Sequence, residues 1–212
     1  MKFIQFNVFL TLLIFSFNVK AGVVFYTDFS EFDAATSTTL VEDFESITPV
    51  GSNIFGSITS NGITYDPVSP TNNLHIATSS YTNFTKPVTS NVLTASGPEN
   101  FLITPDTPIT AFGFDLYLNY VIPQTVTVNL LGGGSDIFDL SFFSASSSVD
   151  FLGISSTDAI TSVFFSSTFG EVINTGIDNI RTGAVIPEPS ILALMGFGLA
   201  GLGFARRRKL QA

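Results

Sequence analysis

Apolar and polar residues alternate most cleanly in the middle of the chain. From Ile109 to Leu118, one face carries Phe112, Phe114, Leu116 and Leu118; the other carries Ala111, Gly113, Asp115 and Tyr117. Successive side chains of a strand point to opposite faces, so this pattern predicts an antiparallel strand with a single apolar face on a core. Residues 125–131 repeat it, with Val126, Val128 and Leu130 inward. Gly132-Gly133-Gly134-Ser135 interrupts the pattern and residues 137–143 resume it, which predicts a hairpin. Residues 150–154, 160–165 and 172–180 supply three further strands.

The first half is patterned more weakly. Val23 to Tyr26 reads as a short strand. Asp28 then caps a short helix reaching about Ala35, with Glu31 as a capping-box-like partner and Phe29 and Phe32 on one face. Residues 39–44 read as a strand, and residues 63–66, 74–77 and 101–103 as short strands bounded by prolines. Residues 49–62 read as loop, and residues 79–98, which have no clean period, as a long exposed connection. About ten short strands with frequent turns and no fixed repeat predict an all-β fold. The expected architecture is an antiparallel, jelly-roll-like β-sandwich with one short N-terminal helix.

The two ends differ from this body. Residues 1–21 have a minimal positive start at Lys2, an apolar core and Val19-Lys20-Ala21 before the expected cut, so they read as a secretory signal peptide. Residues 22–183 form the ectodomain. In residues 184–212, Pro187-Glu188-Pro189 precedes an uncharged run that ends at Ala205, and Arg206-Arg207-Arg208-Lys209 follows directly. Counted from Ser190 the run has 16 residues, at the short end of the roughly 17–25 that span a bilayer. Its flanks argue for a transmembrane helix over residues 190–205. Prolines are tolerated at a helix start, and the four cations hold the far end in the cytoplasm.

Charge sharpens the contrast between body and ends. Between Gly22 and Ile186 the only cations are Lys86 and Arg181, set against 16 acids, a net charge of −14. Such a body does not attract nucleic acid or anionic lipid. There is no cysteine, which excludes disulfides and thiolate chemistry. With His75 as the sole histidine, the usual zinc sets are excluded too. No serine lies in a Gly-x-Ser-x-Gly elbow, and His75 between Leu74 and Ile76 reads as packing rather than catalysis. Paired carboxylates of the glycosidase type have no motif that raises one pair above the rest.

Two further chemistries have candidates. Calcium takes hard oxygen ligands. In Glu42-Asp43-Phe44-Glu45, strand alternation would turn Asp43 and Glu45 to one face and Glu42 to the other. Pairing of this strand with the last one would bring it towards Asp178 and Asn179, so Asp43, Glu45 and Asp178 are candidate ligands of a structural calcium. The competing reading is solvated edge charge that blocks sheet aggregation. Gly132 to Ser135 before Asp136 resembles one unit of a glycine–aspartate calcium loop, but it is unrepeated and reads as a plain turn. Sugars stack on exposed aromatics, and with no tryptophan the candidates are Tyr65, Tyr81, Tyr117 and Tyr120, with Tyr117 and Tyr120 foremost.

The ordered set of Pro187-Glu188-Pro189, a short apolar helix and a terminal arginine cluster resembles the PEP-CTERM sorting signal. That signal is found in bacteria that make extracellular polysaccharide. The resemblance implies recognition by an exosortase, a membrane-embedded cysteine transpeptidase. It implies cleavage near the motif after transient residence in the cytoplasmic membrane, then release or attachment at the cell surface. Pro187, Glu188 and Pro189 would be recognised and Arg206 to Lys209 would be the cytoplasmic anchor; none of them is catalytic. The alternative is a C-terminal membrane anchor that is never processed. The body, with Glu42-Asp43-Phe44-Glu45, Ala111-Phe112-Gly113-Phe114 and Gly176-Ile177-Asp178-Asn179-Ile180, is similar to the jelly-roll-like ectodomains of many proteins with this signal. Together these features describe an exported, non-enzymatic surface or matrix protein associated with exopolysaccharide. The alternative function is a secreted carbohydrate-binding module or glycan hydrolase with the same tail.

Overall fold

The computed structural model describes residues 22–71, 73–80, 84, 87–118, 124–143, 150–167 and 175–186. The expected signal peptide and transmembrane helix lie outside these residues, as do the Pro-Glu-Pro motif and the arginine tail. Among the described residues no helix is long and apolar enough to cross a membrane.

The described residues form thirteen strands, one short helix and one 3-10 turn. The strands are β1 (Val23–Tyr26), β2 (Thr36–Glu42), β3 (Asn53–Ile54), β4 (Ile58–Ser60), β5 (Ile63–Pro67), β6 (Asn73–Ala77) and β7 (Val92–Ser96). They continue with β8 (Phe101–Pro105), β9 (Ile109–Leu118), β10 (Gln124–Leu130), β11 (Ser135–Asp139), β12 (Asp150–Ser167) and β13 (Thr175–Val185). Helix α1 (Phe29–Ala35) begins where expected: Asp28 Oδ1 accepts from Ser30 N at 2.7 Å and Glu31 N at 3.1 Å. These bonds satisfy amides that have no partner inside the helix.

All strand pairs are antiparallel, and the ladder folds into two layers because β12 belongs to both. Its first part, residues 150–156, runs between β9 and β1. Its last part, residues 160–167, pairs with β10 and β8. One layer is therefore β4-β5-β8-β12-β10-β11. The other is β3-β6-β7-β13-β9-β12-β1, with β2 on the far half of β13. This is the expected β-sandwich.

Apolar side chains of both layers meet between them. Phe112, Phe114, Leu116 and Leu118 of β9 face Val126, Val128, Ile160, Val163 and Phe165 in one buried cluster. The Phe114 and Phe165 rings lie 5.4 Å apart across the layers, and Phe101 stacks on Phe165 at 4.4 Å within one. Such ring pairs are worth about 0.5–1.5 kcal/mol beyond area burial.

Several expectations need correction. The strands expected at 150–154 and 160–165 are one strand of 18 residues, bent between the layers. The expected loop at 49–62 contains β3 and β4, strands of 2 and 3 residues, too short to show a period. The expected exposed connection at 79–98 contains β7, where Val92, Leu93, Thr94 and Ala95 are all buried. With both faces covered, no alternation remains to be seen. The second half of the predicted hairpin strand is a 3-10 turn over Leu140–Phe142. Strand β9 has its expected limits but not a single apolar face, since Ala111 and Tyr117 on the outer side are buried as well.

Helix α1 covers part of that outer side. Phe32, fully buried, sits over a directly opposed glycine pair, Gly113 and Gly153. A Cβ on Gly153 would lie 2.5 Å from Phe32 Cδ2, and one on Gly113 would lie 2.8 Å from Phe32 Cε1. The two glycines thus form a socket for the ring. Gly153→Ala is expected to lose about 1–3 kcal/mol in urea unfolding, the usual cost of overpacking. A variant as stable as the parent would show that the socket is not needed.

Candidate functional site

The outer face of the β13-β9 layer carries three patches in sequence. The Phe32 socket is at one end. At the other, Phe84, Val88 and Val92 cover Tyr117. A polar cluster along β13 lies between them.

Asp115 stands directly opposite Asp178 in the β9–β13 ladder. Like charges in that position repel. The register then slips: Arg181 pairs with Gly113, so Asn179 and Ile180 together oppose Phe114. This is a β-bulge, and Asn179 makes it by adopting φ 51°. Because of the extra residue, Ile177 and Ile180 both reach the core despite being three apart. The bulge also aims Asn179 at the acid pair. Its Nδ2 donates to Asp115 Oδ2 at 2.8 Å and to Asp178 Oδ2 at 3.2 Å, and its backbone N–H donates to Asp178 Oδ1 at 2.6 Å.

Two more groups complete the cluster. Ser90 Oγ donates to Asp178 Oδ2 at 2.5 Å. Arg181 Nη1 lies 3.6 Å from Asp115 Oδ1 and donates to the Asn179 carbonyl at 2.8 Å. The guanidinium also sits 4.7 Å from the centre of the Phe29 ring, which ties α1 to the cluster. Burial pushes the Asp178 carboxyl up to about 6, against the Ser90 and Asn179 hydrogen bonds and with the charges of Asp115 and Glu45. Burial raises Asp115 as well, against Asn179 and Arg181. The arrangement holds two carboxylates together with one amide and one guanidinium.

The calcium candidates do not form a set of three: Glu45 lies near enough to Asp178 for its charge to act there, but Asp43 is held in its own turn. The expected pairing of this segment with the last strand is present, with Glu42 opposite Ile180. However, β2 ends at Glu42, and Phe44 turns the chain at φ 58°, so strand alternation does not extend to Glu45. Asp43 Oδ1 accepts from Glu45 N at 3.2 Å within its own turn, and Glu45 Oε1 accepts from Asn91 N at 2.7 Å. Glu42, buried, accepts from Phe44 N at 2.7 Å and Asn61 Nδ2 at 3.0 Å. Among the described residues, no three His, Cys, Asp or Glu side chains form a group that could hold a metal ion. The glycine turn before Asp136 is a hairpin closure, with Leu130 N donating to the Gly134 carbonyl at 2.8 Å.

Of the sugar-platform candidates, the two among the described residues are covered. Tyr117 is 3% exposed and its ring packs 5.9 Å from that of Phe84, so its face is covered. Tyr65 is fully buried against Phe44. Tyr81 and Tyr120 lie outside the described residues. His75 is half-buried on β6, and burial lowers its pKa.

One buried acid was not anticipated. Glu99, 1% exposed at φ 62°, accepts through Oε2 from Thr175 N at 3.3 Å and from Ala95 N and Thr94 Oγ1, each at 3.4 Å. Burial pushes its carboxyl up to about 9, so it is neutral at pH 7. Gly97-Pro98-Glu99-Asn100 reads as an ordinary polar turn and gives no signal of this.

Beyond the cluster, β13 continues to Val185, where a different kind of signal takes over. A family model for the PEP-CTERM protein-sorting motif matches residues 185–209. The chain is thus an all-β body followed by a sorting peptide, and the motif implies export, transient membrane anchoring and exosortase processing. No curated protein sequence matches the chain. Among solved structures, a family 29 carbohydrate-binding module is similar at 10% identity, TM-score 0.35, over 70% of this chain and 94% of its own. The family 11 carbohydrate-binding module of the cellulase Lic26A-Cel5E of Clostridium thermocellum is similar at 12% identity, TM-score 0.36, over 73% and 99%. The enzymatically active domain of tailspike protein 4 of bacteriophage CBA120 is similar at 13% identity, TM-score 0.34, over 72% and 22%. At that similarity neither ligand nor activity transfers to this chain.

The raised acids fix a pH dependence. A carboxyl whose folded pKa is raised contributes stability that is complete below its unfolded pKa and is lost as pH rises through the folded one. For Glu99 that loss runs from 4.5 to about 9, and for Asp178 from 3.8 to about 6. The melting temperature is therefore expected to fall between pH 5 and pH 9. Glu99→Gln should flatten that fall, and Asp178→Asn should flatten the part below about pH 6. Unchanged slopes in both variants would contradict the assignment.

Proposed function

We propose that this chain is a non-enzymatic cell-surface or extracellular-matrix protein. In this reading residues 1–21 direct export, residues 22–183 form the mature β-sandwich, and residues 184–212 are the sorting signal. An exosortase recognises Pro187, Glu188 and Pro189 while residues 190–205 cross the cytoplasmic membrane and Arg206 to Lys209 remain inside. The observation that carries this reading is the match to the PEP-CTERM protein-sorting motif at residues 185–209. Exopolysaccharide is the proposed partner because the signal belongs to bacteria that make it. The hydrogen-bonded state of the outer-face acids supports a structural rather than a catalytic role, since Asp115 and Asp178 are both bound to Asn179.

The test is the intact mass of the protein recovered from the outer surface or medium of its own host. A C-terminus near Pro187–Pro189 and an N-terminus at Gly22 are expected. A mass that retains Arg206 to Ala212 would make the tail a permanent anchor and remove the case for sorting. Co-sedimentation with purified host exopolysaccharide tests the partner, and a body that stays in the supernatant would overturn that assignment.

A further inference from the structure

The sandwich and the sorting signal share backbone. The matched motif begins at Val185, the last residue of β13. Val185, Ala184 and Gly183 pair with Thr36, Ser37 and Thr38 of β2. On the other edge Gly183 pairs with Ala111 of β9. Val185 N donates to Thr110 Oγ1 at 3.1 Å, and Ile186 N donates to the Ala35 carbonyl at 3.0 Å. Pro187 is the next residue, so no spacer separates the last described hydrogen bond from the motif. The fit to β2 is also close: a Cβ on Gly183 would lie 2.0 Å from the Ser37 carbonyl oxygen.

An enzyme that cuts a peptide chain holds it extended, with backbone hydrogen bonds to several residues beside the bond it attacks. For a cut near Pro187 to Pro189, the residues immediately upstream are 183–186. Residues 183–185 are already paired with β2, and the N–H groups of Val185 and Ile186 are already given to Thr110 and Ala35; a backbone group held in this way is not free for a second partner. Hence we propose that the exosortase processes this chain only after the last turn of ladder, residues 183–186, has peeled away from β2 and β9. The sandwich and the enzyme then compete for the same four residues, and the local stability of the β13 end sets the processing rate. The proposal rests on exosortase processing as read above and adds to it the conformational step that precedes cleavage.

Ser37 and Ala184 make the step testable. They are exposed and directly paired, and the chain contains no cysteine. The full-length Ser37→Cys, Ala184→Cys protein, purified in detergent, is incubated with host membranes containing the exosortase. One portion is disulfide-locked and the other reduced before mixing. The expected result is loss of cleavage in the locked form, with the reduced form cut at the parental rate. Equal cleavage of both forms would overturn the proposal. A second variant, Thr110→Val, removes one bond that holds Val185 and should speed cleavage several-fold; a rate at or below the parent's would also count against it. If the parental chain itself is not cut near Pro187–Pro189, the processing reading falls and this proposal falls with it, whereas a cut parent with equal cleavage of the two cysteine forms overturns this proposal alone.

Discussion

Two carboxylates facing each other across a strand pair repel, and the centre of this layer is built around containing one such pair. Asp115 and Asp178, directly opposed, would by themselves weaken the pairing of β9 with β13. The bulge at Asn179 supplies the amide that bridges them, and Arg181 supplies the positive charge. The same bulge resets the strand so that Ile180 returns to the core and Arg181 meets Phe29 of the helix. Core packing, helix docking and electrostatics therefore depend on one residue held at positive φ. Asparagine is among the few side chains that accept that conformation readily.

What the sequence made legible follows from how each face is covered. Strand β9 and the Asp28-capped helix could be read because their signals are local: a period of two, and a cap three residues before its partner. The covering of the outer face was not local. Whether Tyr117 is exposed depends on Phe84, from a segment with no period, and Gly153 is a glycine because of Phe32, more than a hundred residues earlier. The alternation assumed through Glu42-Asp43-Phe44-Glu45 failed at the single torsion of Phe44. The pairing of β2 with β13 was foreseeable, but the direction of the acids beyond it was not.

Strand β12 shows the limit of pattern reading from another side. Residues 150–154 and 160–165 read as two separate short strands. In fact one chain segment passes from β9 and β1 to β10 and β8. Neither layer can then complete its hydrogen bonding without the other. The core, which draws on residues of both halves, forms as one unit. With no disulfide to fall back on, this shared strand is what keeps the layers in register.

The last strand has a mechanical side. It lies between neighbours on both edges, β7 or β2 on one and β9 on the other. A load applied at its end along the strand axis strains all of these bonds in shear, and they must break together. A load applied sideways at the same end opens them one at a time, like a zip. The direction of pull thus decides whether the end of the body behaves as a firm attachment or as a seam.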